Sequence, residues 1–342
     1  DLLINPSWKK IKDKSFNKKI ISKLPSSLIK YLGKVKSISL PDALEINSNN
    51  IMISGYKNTL IIKKFKKKHI KNLENQIFIY NKIKEKKLPC PNILNTNEGY
   101  LFKLEDNEIG IALNFIDGKY FNGTKTQLKN TAIAISTCMN ELKSIECSNF
   151  KINKIFPDNS SEIIEQFMIL LSSKKSFSDK EKLFIKKNYN KIISIEYEIL
   201  KKLHIFDNID FKMFHRDLHP HNILINKNKV SLIDVESILP TKWPIAYGFA
   251  IFKLLRQFCI GKEFNQKNIK LMHDFIDLLF LSSDIDGVNY KILFIGARIE
   301  ILRRILVIME GNLNNKISPW NSVMGIQIRA LNEVEYIESK LI

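Results

Sequence analysis

FHRDLHPHNILINKNKVSLIDVE, residues Phe214 to Glu236, is a polar cluster bracketed by apolar runs. Phe211, Met213 and Phe214 lead in, Ile223 to Ile225 follow, and Val230 to Ile233 lead to Asp234. Short apolar runs bounded by turn residues predict β segments around loops, a frame that holds a few polar side chains at fixed separation. Asp217 can accept a proton from an attacking hydroxyl. Asn222 and Asp234 offer oxygen ligands, which suit a hard cation such as Mg²⁺. Phosphoryl transfer uses this kind of set: one group to orient the nucleophile, and metals to spread charge over the phosphates.

The five-residue step from Asp217 to Asn222, then a β-hairpin to Asp234, matches the catalytic and metal loops of kinase-fold enzymes. The stretch resembles the aminoglycoside phosphotransferase/choline kinase family, a branch of the protein-kinase-like fold. That family's H-x-D-x-H-x-x-N stands here as His215, Asp217, His219 and Asn222, and its I-D-x-E as Ile233, Asp234 and Glu236. The resemblance implies an α+β, bilobal fold: a small antiparallel-sheet N-lobe with one helix, and a larger, mainly helical C-lobe. It implies a kinase that uses ATP (or GTP) and Mg²⁺ to phosphorylate a hydroxyl of a small molecule. Asp217 is then the catalytic base, His215 supports the loop, and Asn222 and Asp234 bind metal. His219 stands where protein kinases have a Lys near the γ-phosphate.

Upstream, strand patterns predict runs at Ala43–Asn47, Ile51–Ser54 and Thr59–Phe65. There is no G-x-G-x-x-G, and the phosphate-covering loop is assigned to Asn47–Ile51. In the family the third strand carries a basic residue turned toward the phosphates. Lys63 takes that role, and Lys64 points to the other face because side chains alternate. Asn72 to Lys87 has helical spacing. Aligning Leu88-Pro89-Cys90-Pro91 with the family's L-P-V-P puts Gln76 where a glutamate partner for the lysine is expected, so Glu74 becomes the candidate partner. Two further strands are predicted at Tyr100–Leu104 and Ile109–Ile116. The resemblance makes Phe115 and Ile116 adenine contacts through their backbone.

The domain reading is an N-terminal extension over 1–35 with a short helix from Ser26, a nucleotide-binding lobe over 36–118 and a helical lobe over 119–342. Thr124 and Ser178 start helices through capping boxes, the second running toward His204. The family's Y-D-L-A reads Tyr247-Gly248-Phe249-Ala250 here, so altered packing under the loop is expected. Asp274, Asp277, Asp284, Asp286, Glu300 and Glu310 are acids that could line an acceptor pocket, with exposed helix charges as the plainer reading.

At 342 residues with 44% hydrophobic content the chain supports a large core. No long apolar run predicts a transmembrane helix. The lysine-rich start lacks the apolar core of a signal peptide. Four scattered cysteines fit reduced thiols, and the expected location is cytoplasmic. The net charge is +19, yet only six of the 54 basic residues are arginine. Nucleic-acid readers lean on arginine for bidentate contacts, so no nucleic-acid partner is expected. The charge leaves a membrane-surface or glycan-precursor contact open. The expected partners are a nucleotide and a small-molecule acceptor, with a polyhydroxylated, sugar-like acceptor preferred over an aminoglycoside or a choline-type amino alcohol. Two other readings compete. One is a metal-dependent hydrolase using His215, Asp217, His219 and His221. The other is a kinase-fold binding module without catalysis.

Overall fold

The computed structural model describes residues 6–41, 49–281, 283, 285, 288–314 and 321–342. The chain divides into two compact units, one of residues 1–121 with 221–236 and one of residues 122–220 with 237–342. The first stretch holds β1 (Trp8–Lys10), α1 (Lys14–Ile21), α2 (Ser26–Leu32), β2 (Val35–Pro41), β3 (Asn50–Gly55) and β4 (Thr59–Lys66). It continues with α3 (Ile70–Glu85), β5 (Phe102–Glu105), β6 (Glu108–Asn114) and β7 (Lys119–Tyr120). Helices α4 (Lys125–Leu142), α5 (Ser160–Leu170), α6 (Asp179–Lys187) and α7 (Tyr189–Lys202) precede β8 (Phe211–His215). The hairpin β9 (Ile223–Asn226) and β10 (Lys229–Leu232) belongs to the first unit. β11 (Ile238–Lys242) then opens the last run: α8 (Trp243–Cys259), α9 (Gln266–Phe280), α10 (Tyr290–Leu313) and α11 (Met324–Leu341).

In the first unit six antiparallel strands lie in the order β1-β2-β3-β4-β6-β5. Alternation along β4 sends Leu60 and Ile62 into a core shared with Ile51 and Ile53. Ile20, Leu24, Leu28 and Leu32 complete that core, so α1 and α2 cover one face of the sheet. The segment expected as an extension is therefore built into the sheet. β1 adds an edge strand through Lys9 opposite Leu40. A three-residue Trp-Lys-Lys strand carries no alternation signal, which is why the sequence does not reveal it. The strand expected at Ala43–Asn47 lies outside the described residues, as do Asn47 and Ser48 of the phosphate-covering loop. The first long strand forms earlier, at Val35–Pro41. The lobe boundary expected after Gly118 also shifts. β7 pairs with β9, Tyr120 opposite Leu224, and this ladder draws residues 119–121 and the β9–β10 hairpin into the first unit.

The second unit is mainly helical, with α10 packed against α5, α7, α8 and α11. The helix expected to run from Ser178 toward His204 breaks at Asn188. Ser178 and Glu181 do form the expected capping box. Asn188 leaves helical geometry at φ −98° and ψ 6°, and its side-chain amide donates to the Phe184 carbonyl at 2.8 Å, adding to the backbone bond that already closes the last turn. Among the described residues no helix is long and apolar enough to cross a membrane.

The glycine in Tyr247-Gly248 has a packing cause. A Cβ at Gly248 would lie 2.0 Å from the Leu293 carbonyl oxygen, and one at Gly296 would lie 2.1 Å from the Pro244 carbonyl oxygen. The two glycines let the backbones of α8 and α10 touch, and an aspartate at 248 has no room. Tyr247 meanwhile packs edge-on against Phe214 at 5.9 Å, bracing the strand that leads to Asp217. Gly248→Ala is expected to cost about 3 kcal/mol, the upper end for overpacking, because the clash is with backbone. Urea denaturation would show this as a lower midpoint at unchanged slope. An unchanged midpoint would mean that the crossing is looser than drawn.

Candidate active site

Lys63 sits on β4, and alternation turns it away from the core that Ile62 enters. Its Nζ lies 2.5 Å from Glu236 Oε2 and 3.4 Å from Asp234 Oδ1. Tyr80 on α3 donates its hydroxyl to the other oxygen of Glu236 at 3.0 Å. Burial acts to lower the Lys63 pKa, but the Glu236 and Asp234 carboxylates outweigh it and hold the ammonium above its ordinary range. Burial, reinforced by Glu236, pushes the Tyr80 phenol well up, so it stays a neutral donor. Asp234 adopts φ +64°, a left-handed conformation that a non-glycine residue takes only where its surroundings enforce it.

Lys63, Tyr80 and Asp234 border a cavity of 360 Å³ within the first unit. Ile61, Leu113, Leu224 and Ile233 give it apolar walls, and Lys63, Asn222 and Asp234 supply polar groups. Phe115 and Ile116 line it as well. The Phe115 amide is spent on the Thr59 carbonyl at 3.3 Å. No hydrogen bond among the described residues engages the Ile116 amide. Asn50 also lines the cavity, from the described end of the predicted phosphate loop, and so does Trp8 of β1. His221 lines the cavity too, with its ring 4.9 Å from that of Tyr120.

Glu74 is not brought to Lys63. It lies exposed on α3, while the lysine takes both carboxylates from the segment after β10. Gln76 is half-buried, and its Oε1 has no hydrogen-bond partner among the described residues. A neutral side chain is tolerable there because Lys63 already has its counter-ions. Asn222 and Asp234 form an amide and carboxylate oxygen set, which fits a hard divalent cation better than a thiolate- or imidazole-seeking one.

In the second unit β8 pairs with β11, His215 opposite Ile238, and the Arg216 amide donates to the Ser237 carbonyl at 2.9 Å. This fixes the backbone that carries Asp217. His215 is fully buried, and its Nδ1 accepts the Asp217 amide at 3.3 Å. Asp217 Oδ1 accepts from Arg304 of α10 at 2.8 Å, and Oδ2 stands 3.8 Å from His219 Nε2. Burial acts to raise the Asp217 pKa, but Arg304 and His219 outweigh it and keep the carboxyl below its ordinary value. Asp217 is therefore ionised at neutral pH.

Arg304 is held in turn by Glu300, which the sequence offered as a pocket acid or an exposed helix charge. It is neither. Glu300 is fully buried and accepts hydrogen bonds from Arg216, Arg303 and Arg304 at 2.7 to 3.0 Å. Burial acts to raise its pKa, and the three guanidinium groups overcome this and hold it far below the carboxylate range. Asp274, Asp277 and Glu310 are exposed helix charges, and Asp284 and Asp286 lie outside the described residues. The hydrolase alternative gains no support. His215 spends Nδ1 on the backbone, and among the described residues no three His, Cys, Asp or Glu side chains gather as a metal-ligand set.

No family model matches the sequence, and no curated protein matches it. Solved structures do. Spectinomycin phosphotransferase in complex with ADP and spectinomycin aligns over 93% of this chain and 99% of its own, at TM-score 0.66 and 16% identity. The choline kinase LicA from Streptococcus pneumoniae aligns over 94% and 99%, at TM-score 0.59 and 17% identity. An amicoumacin kinase in complex with AMP-PNP, Ca²⁺ and its substrate aligns over 94% and 96%, at TM-score 0.58 and 11% identity. The resemblance carried by His215 to Glu236 thus holds at the level of architecture: the chain has the protein-kinase-like fold of the aminoglycoside phosphotransferases and choline kinases.

Proposed function

We propose that the protein is a small-molecule kinase that moves the γ-phosphate of ATP or GTP to a hydroxyl, with Mg²⁺. The observation that carries this reading is that Lys63, paired with Asp234 and Glu236, lines a cavity together with Asp234 and Asn222. Lys63 stays charged there and can hold phosphate oxygens. Asn222 and Asp234 would hold the metal, which when bound neutralises charge on the phosphates. The apolar walls and the Ile116 amide suit a planar base. ADP and AMP-PNP in the solved neighbours support a nucleotide in this place.

Asp217 orients the acceptor hydroxyl and takes its proton. The new bond forms between the acceptor oxygen and the γ-phosphorus. The bond from that phosphorus to the β,γ-bridging oxygen breaks, and the nucleoside diphosphate leaves with the electron pair. His215 positions Asp217 through its amide, and Arg304 fixes one carboxylate oxygen. A sugar-like or other polyhydroxylated metabolite is the preferred acceptor, with amino alcohols and aminoglycosides as the alternatives.

Lys63→Met is expected to weaken MgATP binding by about 10- to 100-fold, the loss of a partly desolvated charge contact of roughly 1.4–3 kcal/mol. Isothermal titration of wild type and variant checks this. Equal affinities would remove Lys63 from the nucleotide site and favour a binding module of another kind.

A further inference from the structure

Around Asp217 the second unit carries more positive charge than its own carboxylates use. Arg216, Arg303 and Arg304 share Glu300, and Arg304 also reaches Asp217. A fourth cation, Lys253 of α8, joins them. Its Nζ lies 5.3 Å from the Phe249 ring centroid, and the Arg304 guanidinium lies 4.3 Å from the same ring. Lys253 also sits over Phe252, at 5.5 Å. Arg256, on the same helix, is taken by Glu333 at 2.7 Å. Among the described residues no hydrogen bond or ion pair reaches the Lys253 ammonium. Burial, with Arg304 and Arg256 adding repulsion, outweighs the attraction of Asp217 and Glu333 and lowers its pKa to about 8.

Two aromatic rings repay only part of the cost of drying an ammonium. Five cations, Arg216, Lys253, Arg256, Arg303 and Arg304, face three carboxylates, Asp217, Glu300 and Glu333. Such a surplus beside the group that meets the acceptor disfavours a quaternary ammonium or a polyamine and favours an anion. We propose that the acceptor bears an acidic group, a carboxylate or a phosphate ester, and that Lys253 binds it while Asp217 orients the hydroxyl. This deepens the phosphotransfer reading and rests on it.

The test compares matched acceptors with MgATP: glycerate against glycerol, gluconate and glucose 6-phosphate against glucose, and choline as the cationic case. The first comparison and gluconate probe a carboxylate, and glucose 6-phosphate probes a phosphate. At least one acidic member is expected to exceed its neutral partner in kcat/KM by about 100-fold, the scale of one well-placed charge contact. Lys253→Met is expected to raise KM for that acceptor by about 10-fold or more, with kcat and KM for MgATP within about threefold. Lys253→Arg should recover most of the loss. Removing a half-buried charge that makes no ion pair among the described residues should leave the melting temperature of Lys253→Met at or above wild type, so a fall in turnover is not a folding failure. Equal use of neutral or cationic acceptors, or an unmoved KM in Lys253→Met, overturns the acidic-acceptor inference and leaves phosphotransfer standing. Absence of acceptor-dependent ADP release with every class of acceptor overturns phosphotransfer and the inference together.

Discussion

Asp217→Asn is expected to lower acceptor-dependent ADP release by about 10²–10⁴-fold, the usual share of a positioned base. MgATP affinity should stay nearly intact, because the groups proposed for the nucleotide, Lys63, Asn222 and Asp234, are unchanged. Asparagine keeps the size of the side chain and one oxygen for Arg304, so geometry is conserved while the proton acceptor is lost. His215 still receives the amide of residue 217. Turnover within about tenfold of wild type, a barrier change near 1.4 kcal/mol, would contradict the role given to Asp217.

Glu300→Gln carries a large expected effect on stability. The native carboxylate is fully buried and takes hydrogen bonds from three arginines. Glutamine removes the one charge they share. Breaking a buried ion pair costs about 3–5 kcal/mol, and the lower end applies because the arginines keep some solvent contact. For a protein of this size that is a fall of roughly 4–5 °C in melting temperature. The pH dependence has a definite sign. The folded pKa of Glu300 lies below its unfolded value, so its contribution is complete above the unfolded carboxyl range near 4.3. It is lost as pH falls toward the folded pKa. The stability gap between wild type and Glu300→Gln should therefore be constant from pH 6 to 8 and shrink in acid. A gap that widens in acid would contradict the buried ionised carboxylate. Turnover should fall as well, because Arg304 loses the anchor that aims it at Asp217.

The parts that were legible in the sequence are those fixed by local spacing. His215, Asp217 and Asn222 stand within eight residues of one another, and the hairpin before Asp234 announces itself through two apolar runs. Lys63 could be chosen over Lys64 because a strand alternates, and Lys64 does turn elsewhere, to Glu108 at 3.6 Å. The unread parts are pairings across long stretches of chain. Lys63 finds its carboxylates 171 and 173 residues away, and the helix register around Gln76 and Glu74 contains nothing about that. Tyr80 carries no local sign of its role, although a buried phenol needs a partner and here finds Glu236.

Glu300 was misread because a glutamate in an apolar helix has no local sign of its partners. One signal was available. In a chain with so few arginines, an adjacent Arg303-Arg304 pair inside an apolar run is unusual. Five of the six arginines make ion pairs with carboxylates, and the sixth, Arg329, lies over the Phe184 ring at 5.7 Å. A planar fork is retained where a lysine would not serve, and the pair at 303 and 304 marked that place.

The most direct test of the account is nucleotide consumption by purified protein with Mg²⁺ across acidic, neutral and cationic hydroxyl acceptors, with Asp217→Asn in parallel. The account predicts ADP release that depends on acceptor and disappears in the variant. It also predicts stabilisation by MgATP alone, about 2.7 kcal/mol at a hundredfold excess over Kd. No release with any acceptor and no shift in melting with MgATP would contradict it, and would leave a kinase fold that neither binds nucleotide nor transfers phosphate.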